Sequence, residues 1–443
     1  MLKGIICAGA LALAGATAAH AQERARNEPR APVPTLAPLA DSGPALALTR
    51  QQAIDLALAN NPQLHAAREQ VSQARARVTE AKALPDLAAS ATIVGQSGPF
   101  RPSTAGEHDY ALGLTVPFPD RIRLRGQVAT ADVRSSELSY EQLRQQIASE
   151  TSQAYSALLV ALRHHDDFQQ ATQLAQDFLA RTQARYEGGT SPKLDVVKAR
   201  VDLAQSRNQL IAAERDVANA RAALNRLIAR PLGAPIAAAD TLGVPPALPA
   251  LDTLERLALA HRPELRSLDA QRAGARAATT LAKEYWLPDI ALGVTRVTIP
   301  GAPATYDTDI GISVPLFFWQ HRGGEVAESQ HRERELAATA RDLVAQVSQE
   351  VRTAYAAAST AIEQVHYIRD ELLPEAQQAY HIATVSYGLG GASTLEVLDA
   401  KRALLDAQTQ YTDALGAAND AVAQLRLAVG APLDTTSTGG PHD

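Results

Sequence analysis

Acidic residues follow two glycine-rich stretches, and they are the side chains of this sequence best placed to carry chemistry. Asp195 follows "YEGGTSPKL", and Glu396 and Asp399 follow "YGLGGASTL". Grouped carboxylates repel one another and attract cations, so they could form a cation filter or a gate closed by salt bridges. The basic residues that could supply such bridges are Lys198, Arg200 and Lys401. The alternative is that the acids only stabilise helix N-termini, where the helix dipole favours negative charge.

The same two stretches contain the residues for a tight reversal between helices. Their glycines, which permit backbone conformations that other residues avoid, are Gly188, Gly189, Gly390 and Gly391. Ser191 and Ser393 are candidate N-caps of the returning helices. Tyr186 and Tyr387 end the preceding helices, where they either pack or donate a hydrogen bond within a gate.

Other polar clusters do not point to a metal site or to catalysis. The stretch "HHDD" (164–167) falls in a helix, where consecutive side chains point in different directions and cannot all bind one ion. His321 and His331 are dispersed. The sequence contains no nucleotide-binding, zinc-protease or nucleophile–base pattern. We therefore predict that the protein is not an enzyme and has no cofactor and no metal site.

Composition narrows the class of protein further. The chain has 443 residues and a formal net charge of −6, so its overall charge does not favour binding to nucleic acid. Its aromatic content of 4% favours long helices that pack closely through small side chains.

The N-terminus predicts a secretory signal peptide. Lys3 precedes an apolar stretch over residues 4–19, and Ala19-His20-Ala21 fits the cleavage rule, so the mature chain should begin at Gln22. The alternative is an N-terminal membrane anchor. The single cysteine, Cys7, lies within the signal, so the mature chain should have neither a disulfide nor a lipid-bearing cysteine.

Landmarks recur in the same order, which indicates a duplicated chain. "AIDLALANNPQL" (53–64) matches "LERLALAHRPEL" (254–265), and "LPD" (84–86) returns at 287–289. "VPF" (116–118) returns as "VPL" (314–316), and both glycine-rich stretches follow in turn. The predicted organisation is therefore a signal peptide (1–21), an extended segment (22–47), a first repeat (48–230), a linker (231–250), a second repeat (251–430) and a disordered tail (431–443).

Each repeat should contain a helix, a β-hairpin and a long helical hairpin. The first helices are expected from the cap Thr49 to Leu84 and from Asp252 to Leu287. Pro374 should kink the second long outgoing helix. The predicted strands are 87–95, 109–118, 289–299 and 306–318, and the predicted long helices are 122–186, 192–229, 322–386 and 393–429. A helix of about 60 residues, such as the predicted helix 122–186, spans roughly 90 Å at about 1.5 Å per residue. Such a length is typical of a tube or a rod.

The predicted strands alternate bulky apolar residues with small ones. In "HDYALGLTVPFPD" (108–120) the small face carries no long charged side chain, and the second repeat shows the same alternation. This pattern is typical of a membrane barrel with its apolar face toward lipid, and the alternative is a soluble half-buried sheet. Lipid tolerates no unpaired strand edge, so four strands per chain would need other copies. Two copies give eight strands and three give twelve, and the pattern does not choose between them.

With its duplicated plan and its paired "GGTSPKLDV" and "GGASTLEVLDA" elements, the sequence resembles the TolC-like outer membrane efflux proteins over about residues 48–430. The stretch "SVPLFFWQHRGGEVAES" (313–329) looks more like the cobalt–zinc–cadmium branch than the multidrug branch. The resemblance implies a mainly α fold with a small β part: a homotrimer whose twelve-stranded barrel in the outer membrane continues as a helical barrel through the periplasm. It also implies a periplasmic adaptor and an inner-membrane pump of the RND type as partners.

In such proteins the glycine-rich turns form the periplasmic tip where the adaptor docks, and acids at the Glu396 and Asp399 positions narrow the channel. The resemblance therefore implies a gate at Glu396, Asp399, Asp195, Tyr387 and Tyr186, and a docking tip at Gly188, Gly189, Ser191, Gly390, Gly391 and Ser393. The predicted function is a passive duct that exports metal cations or small toxic molecules. The alternatives are a duct for type I protein secretion and, from another class, a soluble periplasmic coiled-coil adaptor or structural protein.

Overall fold

The structure, a computed structural model, describes residues 46–94, 106–314 and 318–431, with only the backbone described for 318–322. The predicted signal peptide, nearly all of the extended segment after it and all but the first residue of the predicted tail lie outside the described residues. The first half of the chain contains β1 (Leu46–Leu48), α1 (Arg50–Asn60), α2 (Pro62–Lys82), β2 (Ala88–Val94), β3 (Glu107–Val116), α3 (Pro119–Glu187) and α4 (Lys193–Leu227). The second half contains β4 (Ile236–Ala238), α5 (Leu251–His261), α6 (Pro263–Lys283), β5 (Asp289–Thr298), β6 (Thr305–Ser313), α7 (Phe318–Tyr367), a π-helical turn (Ile368–Leu372), α8 (Leu373–Gly388) and α9 (Thr394–Val429).

Each repeat begins with two helices rather than the single predicted one. Thr49 caps α1 as expected, through a capping box with Gln52. The chain then breaks at Asn61, because a residue that precedes proline is driven out of the helical conformation, and Pro62 opens α2. Arg262 occupies the same place before Pro263 in the second repeat.

The residues at these two breaks hold the ends of distant helices. The Asn61 side-chain amide donates to the carbonyl of Leu227 at the end of α4, over 3.0 Å. Arg262 donates to the carbonyl of Ala428 near the end of α9, over 3.3 Å. In each repeat, the side chain of the residue before the proline therefore links the start of the repeat to the end of its last helix.

Four antiparallel strands form one open sheet in the order β2-β3-β5-β6. The two hairpins are joined by β3 and β5, whose register places Gly113 opposite Gly293 and Leu112 opposite Val294. The outer edges of the sheet, β2 and β6, belong to different repeats. The strand predictions are confirmed to within a few residues, except that β6, predicted to reach residue 318, ends at Ser313. Residues 315–317 of that prediction lie outside the described residues.

The two faces of this sheet differ as the alternation predicts. On one face lie bulky apolar side chains that are largely exposed in the single chain, namely Tyr110, Leu112, Ile290, Leu292, Val294, Ile310 and Ile312. The register places glycine, alanine, threonine and aspartate together on the opposite face. The described part of the chain therefore does not bury these apolar side chains.

The long helices form two hairpins packed side by side. Helix α3 is continuous for 69 residues, or about 100 Å. The corresponding helix of the second repeat changes to a π-helical turn just before Pro374, where the missing amide and the ring of proline disturb regular helical bonding. Along α3, Ile147, Ala161 and Ala175 are separated by multiples of seven residues, the spacing of a coiled-coil seam, and all three are buried. Within the described residues, none of the helices combines the length and apolarity needed to cross a bilayer.

We predict that Asn61→Ala lowers the free energy of unfolding by about 1–3 kcal/mol, because it removes an N-cap and leaves a buried carbonyl unpaired. The matched control is Asn60→Ala, which changes an exposed residue at the end of α1 and should cost less than about 0.5 kcal/mol. Thermal unfolding followed by far-ultraviolet circular dichroism compares the two. Equal melting temperatures would contradict the assigned role of Asn61.

Candidate functional site at the helical tip

Two equivalent turns reverse the chain where α3 passes to α4 and α8 passes to α9. Gly189 and Gly390 adopt positive φ angles of 77° and 81°. In each turn the next amide donates back to a carbonyl of the preceding helix, over 2.9 Å in the first repeat and 2.8 Å in the second. Gly188 and Gly391 do not have positive φ, so only one glycine per turn is demanded by the backbone.

The returning helices begin differently in the two repeats. Ser393 caps α9 in a capping box: its hydroxyl accepts from the amide of Glu396, whose carboxylate accepts from the amide of Ser393 over 2.6 Å. The prediction that Ser191 caps α4 is wrong, because Pro192 takes the N-cap position. Ser191 instead donates its hydroxyl to the carboxylate of Asp195 over 2.9 Å.

The three predicted gate acids are surface groups at the start of α4 and α9. Hydrogen bonding from Ser393, chiefly from its backbone amide, lowers the pKa of Glu396, so this carboxylate stays charged at a lower pH than usual. Asp399 lies 3.7 Å from Arg402 on its own helix, with both side chains more than half exposed. In the described part of the chain, neither Lys198 nor Arg200 forms an ion pair with these acids.

Lys401 belongs to a buried ion pair and not to the predicted gate bridges. Its ammonium group lies 2.7 Å from the carboxylate of Asp202 on α4 and 3.3 Å from the hydroxyl of Ser206. Both side chains of the pair are less than a tenth exposed. None of the predictions from the sequence included this pair, although Lys401 continues the apolar stripe of Val397 and Leu398 on α9. A charge within an apolar stripe is the signal that could have revealed it.

The two tyrosines predicted to be equivalent have different surroundings. Tyr387 is buried, with its ring centroid 5.4 Å from that of Phe178 and the Arg185 guanidinium 4.5 Å from its centroid. Arg185 also donates to the carbonyl of Tyr387 over 2.5 Å, which ties α3 to the end of α8. Tyr186 remains 43% exposed. Of these two tyrosines, only Tyr387 therefore joins the two helical hairpins.

The "HHDD" stretch makes contacts between helices. His164 lies 2.8 Å from Asp413 on α9, and Asp167 lies 3.4 Å from the hydroxyl of Thr412. Burial raises the pKa of Asp167. Among the residues that the structure describes, no group of three or more metal-ligating side chains converges on one point.

Comparison with known proteins places both repeats in one family. The family described as outer membrane efflux protein matches residues 53–230 and 254–431. The chain is 22% identical to the cobalt-zinc-cadmium resistance protein CzcC of Cupriavidus metallidurans, covering 83% of this chain and 87% of CzcC. It is 25% identical to the pyoverdine export outer membrane protein OpmQ of Pseudomonas putida, covering 81% of each chain. The crystal structure of CusC, a protein described as forming a transmembrane channel, superposes on this chain with a TM-score of 0.73 at 21% identity. The superposition covers 91% of this chain and 98% of CusC.

We predict that Asp202→Ala destabilises the protein by about 3–5 kcal/mol, because it leaves the buried ammonium of Lys401 without its partner. The double variant Asp202→Leu/Lys401→Met should recover most of that loss, because no charge remains buried. The control Arg402→Ala removes an exposed contact with Asp399 and should cost less than about 1 kcal/mol. Thermal unfolding of the detergent-solubilised variants measures all three. A single variant as stable as the control would contradict burial of the pair.

Proposed function

We infer the function from one premise: this chain belongs to the outer membrane efflux protein family, which matches both of its repeats. It is an outer-membrane channel component of an efflux system and not an enzyme. We propose further that three copies form a passive duct through the outer membrane and into the periplasm. In this proposal residues 1–21 are removed as a signal peptide, no lipid is attached, and repeats 48–230 and 251–430 are joined by a linker at 231–250.

The exposed apolar face of the four-stranded sheet is the observation that carries the proposal. Its bulky side chains would face lipid, while the small and polar side chains of the opposite face would line a water-filled channel. A bilayer tolerates no unpaired sheet edge, so the barrel must be completed by other copies. Three copies would supply twelve strands, which exceeds the eight strands of the smallest membrane barrels.

The energy for export must come from a partner. We propose an inner-membrane pump, of the RND type, that is connected to this duct by a periplasmic adaptor docked at the glycine-rich turns. The names of CzcC and OpmQ refer to metal resistance and to pyoverdine export, so this chain would export metal cations or small toxic molecules. Two helical hairpins and an exposed apolar sheet argue against the alternative of a soluble adaptor.

The carboxylates after the turns are proposed to narrow the periplasmic end of the duct. In a trimer, Glu396 and Asp399 would each appear three times around one axis and would attract cations. The capping box alone accounts for a glutamate at position 396. It does not account for Asp399, which is exposed about one turn later. Asp195 is held by Ser191 near the start of α4 and would contribute at the adjacent hairpin. Tyr387 and Tyr186 would belong to the same gate, with Tyr387 packed between the two hairpins and Tyr186 exposed.

We predict that Leu292→Arg, on the apolar face, prevents assembly in the outer membrane, because a lipid-facing cation costs about 2–4 kcal/mol in each copy. The matched control is Thr295→Arg on the opposite face of the same strand, where it adjoins Asp307 in the register. Membrane fractionation and native electrophoresis in detergent measure assembly. The proposal fails if the parent protein is a monomer that is soluble without detergent, or if both arginine variants assemble equally.

We predict that Glu396→Gln combined with Asp399→Asn raises single-channel conductance in a planar bilayer or weakens block by divalent cations. Glutamine can keep the capping box while it removes the charge, so an effect would report electrostatics and not a frayed helix. The control Asp406→Asn changes another exposed acid on α9. Because the pKa of Glu396 is lowered, block should persist as pH falls through the usual range of a glutamate. Unchanged conductance and block in the double variant would end the gate assignment.

A further inference from the structure

The charged side chains of the four-stranded sheet are divided between its two faces. The carboxylates of the described strands all lie on the face of small residues, at Glu107, Asp109, Asp289, Asp307 and Asp309. The apolar face instead carries one arginine and one histidine, Arg296 and His108, as strand alternation requires. A cation that enters a bilayer on this face needs an anionic partner, and the described strands place none beside it.

Arg296 lies between two tyrosines in one row across the sheet. The register places Tyr110 of β3 opposite Arg296 of β5, and Arg296 opposite Tyr306 of β6. Both tyrosines are more than half exposed, and Arg296 is exposed as well. His108 pairs with Thr298 and is therefore a diagonal neighbour of Arg296, at roughly 7–8 Å, a separation that long side chains can bridge. One guanidinium, one imidazole and two phenol hydroxyls, all of them hydrogen-bond donors, therefore share one patch.

This patch lies toward the end of the sheet that is distant from the helices. At the opposite end, β3 leads into α3 and the chain enters β5 from α6. Along β5, three exposed aliphatic side chains precede the arginine, namely Ile290, Leu292 and Val294. Six residues of strand separate Ile290 from Arg296, which is about 20 Å. In the proposed duct the patch would therefore lie at the headgroup level of the leaflet remote from the periplasm, where tyrosine is enriched and arginine is tolerated.

A groove of about 490 Å³ joins the row of donors to apolar surface on the same face. Its lining includes the arginine and both tyrosines of the row, together with Leu112, Val294 and two alanines of β2, Ala89 and Ala91. Ala89, Leu112 and Val294 form the next row toward the helices, since Ala89 pairs with Leu112 and Leu112 with Val294. A ligand in this groove would therefore meet donors at its outer end and hydrocarbon at its inner end, which is the polarity of a lipid.

We propose that this patch binds the phosphate of an anionic lipid, whose acyl chain lies along the groove toward Leu112. The guanidinium of Arg296 donates two parallel hydrogen bonds to phosphate oxygens, a geometry that suits arginine. The hydroxyls of Tyr110 and Tyr306 and the imidazole of His108 are the remaining donors around it. The apolar surface that begins one row further in favours a lipid over a free phosphate ion. This site rests on the proposed duct, because only a sheet in a bilayer brings lipid to this face.

Native mass spectrometry of the detergent-solubilised protein tests the site. The probes are dioleoyl phosphatidylglycerol, which is anionic, and dioleoyl phosphatidylcholine, which has the same chains and a zwitterionic headgroup. The parent protein should bind phosphatidylglycerol more tightly, and Arg296→Gln should weaken that binding by about fivefold, with little change for phosphatidylcholine. Arg296→Lys keeps the charge without the bidentate fork and should lose less. The matched control, Arg207→Gln, removes an exposed arginine of α4 and should bind both lipids as the parent does.

The lipid site is overturned if the parent shows no preference for phosphatidylglycerol, or if Arg296→Gln binds it as tightly as the control does. It is also overturned if equimolar inorganic phosphate displaces the lipid, because the patch would then hold a free anion. Should Arg296→Gln fail to assemble, Arg296→Lys and Tyr306→Phe replace it, and binding equal to the control in both variants overturns the site. In each of these cases a parent that is oligomeric in detergent leaves the proposed duct standing. A parent that is monomeric and soluble without detergent contradicts both proposals.

Discussion

Backbone hydrogen bonding at the edges of the sheet is the constraint on which the rest of the structure depends. A bilayer offers no water to the amides and carbonyls of an unpaired strand, so a membrane sheet must close on itself. Four strands with two free edges cannot satisfy this condition within one chain. In the proposed duct, other copies would pair with these edges and cover the exposed isoleucines of β6.

In the proposed ring of copies, duplication would let each chain supply two equivalent sets of strands and helices. Contacts that involve the backbone are kept in both repeats even where the side chain has changed. An amide at Asn61 and a guanidinium at Arg262 reach equivalent carbonyls at the ends of α4 and α9. The hairpin registers are likewise equivalent. The two repeats therefore share their backbone geometry, while the side chains at equivalent positions can differ.

Much of the fold could be predicted because local chemistry determines it. Proline and glycine mark the ends of the helices, and a period of two marks the strands and their faces. The missed features depend on tertiary contacts that local patterns do not contain. Ser191 resembles a cap, but Pro192 takes that position, and the tyrosines at equivalent places in the repeats differ because Arg185 and Phe178 reach only Tyr387. The Lys401 ion pair similarly joins residues that are far apart in sequence.

In the proposed duct, the groups that stabilise the tip and the groups that gate it would be separate within a few helical turns. The pair between Lys401 and Asp202 is buried and joins the returning helices of the two repeats, so separating it would leave a charge unpaired at a cost of several kcal/mol. Glu396 and Asp399 lie on the surface one turn or so away, where salt and bound cations can act on them at little cost. If the proposed duct responds to cations, the exposed carboxylates can change their interactions while the buried pair keeps the two hairpins of each copy together.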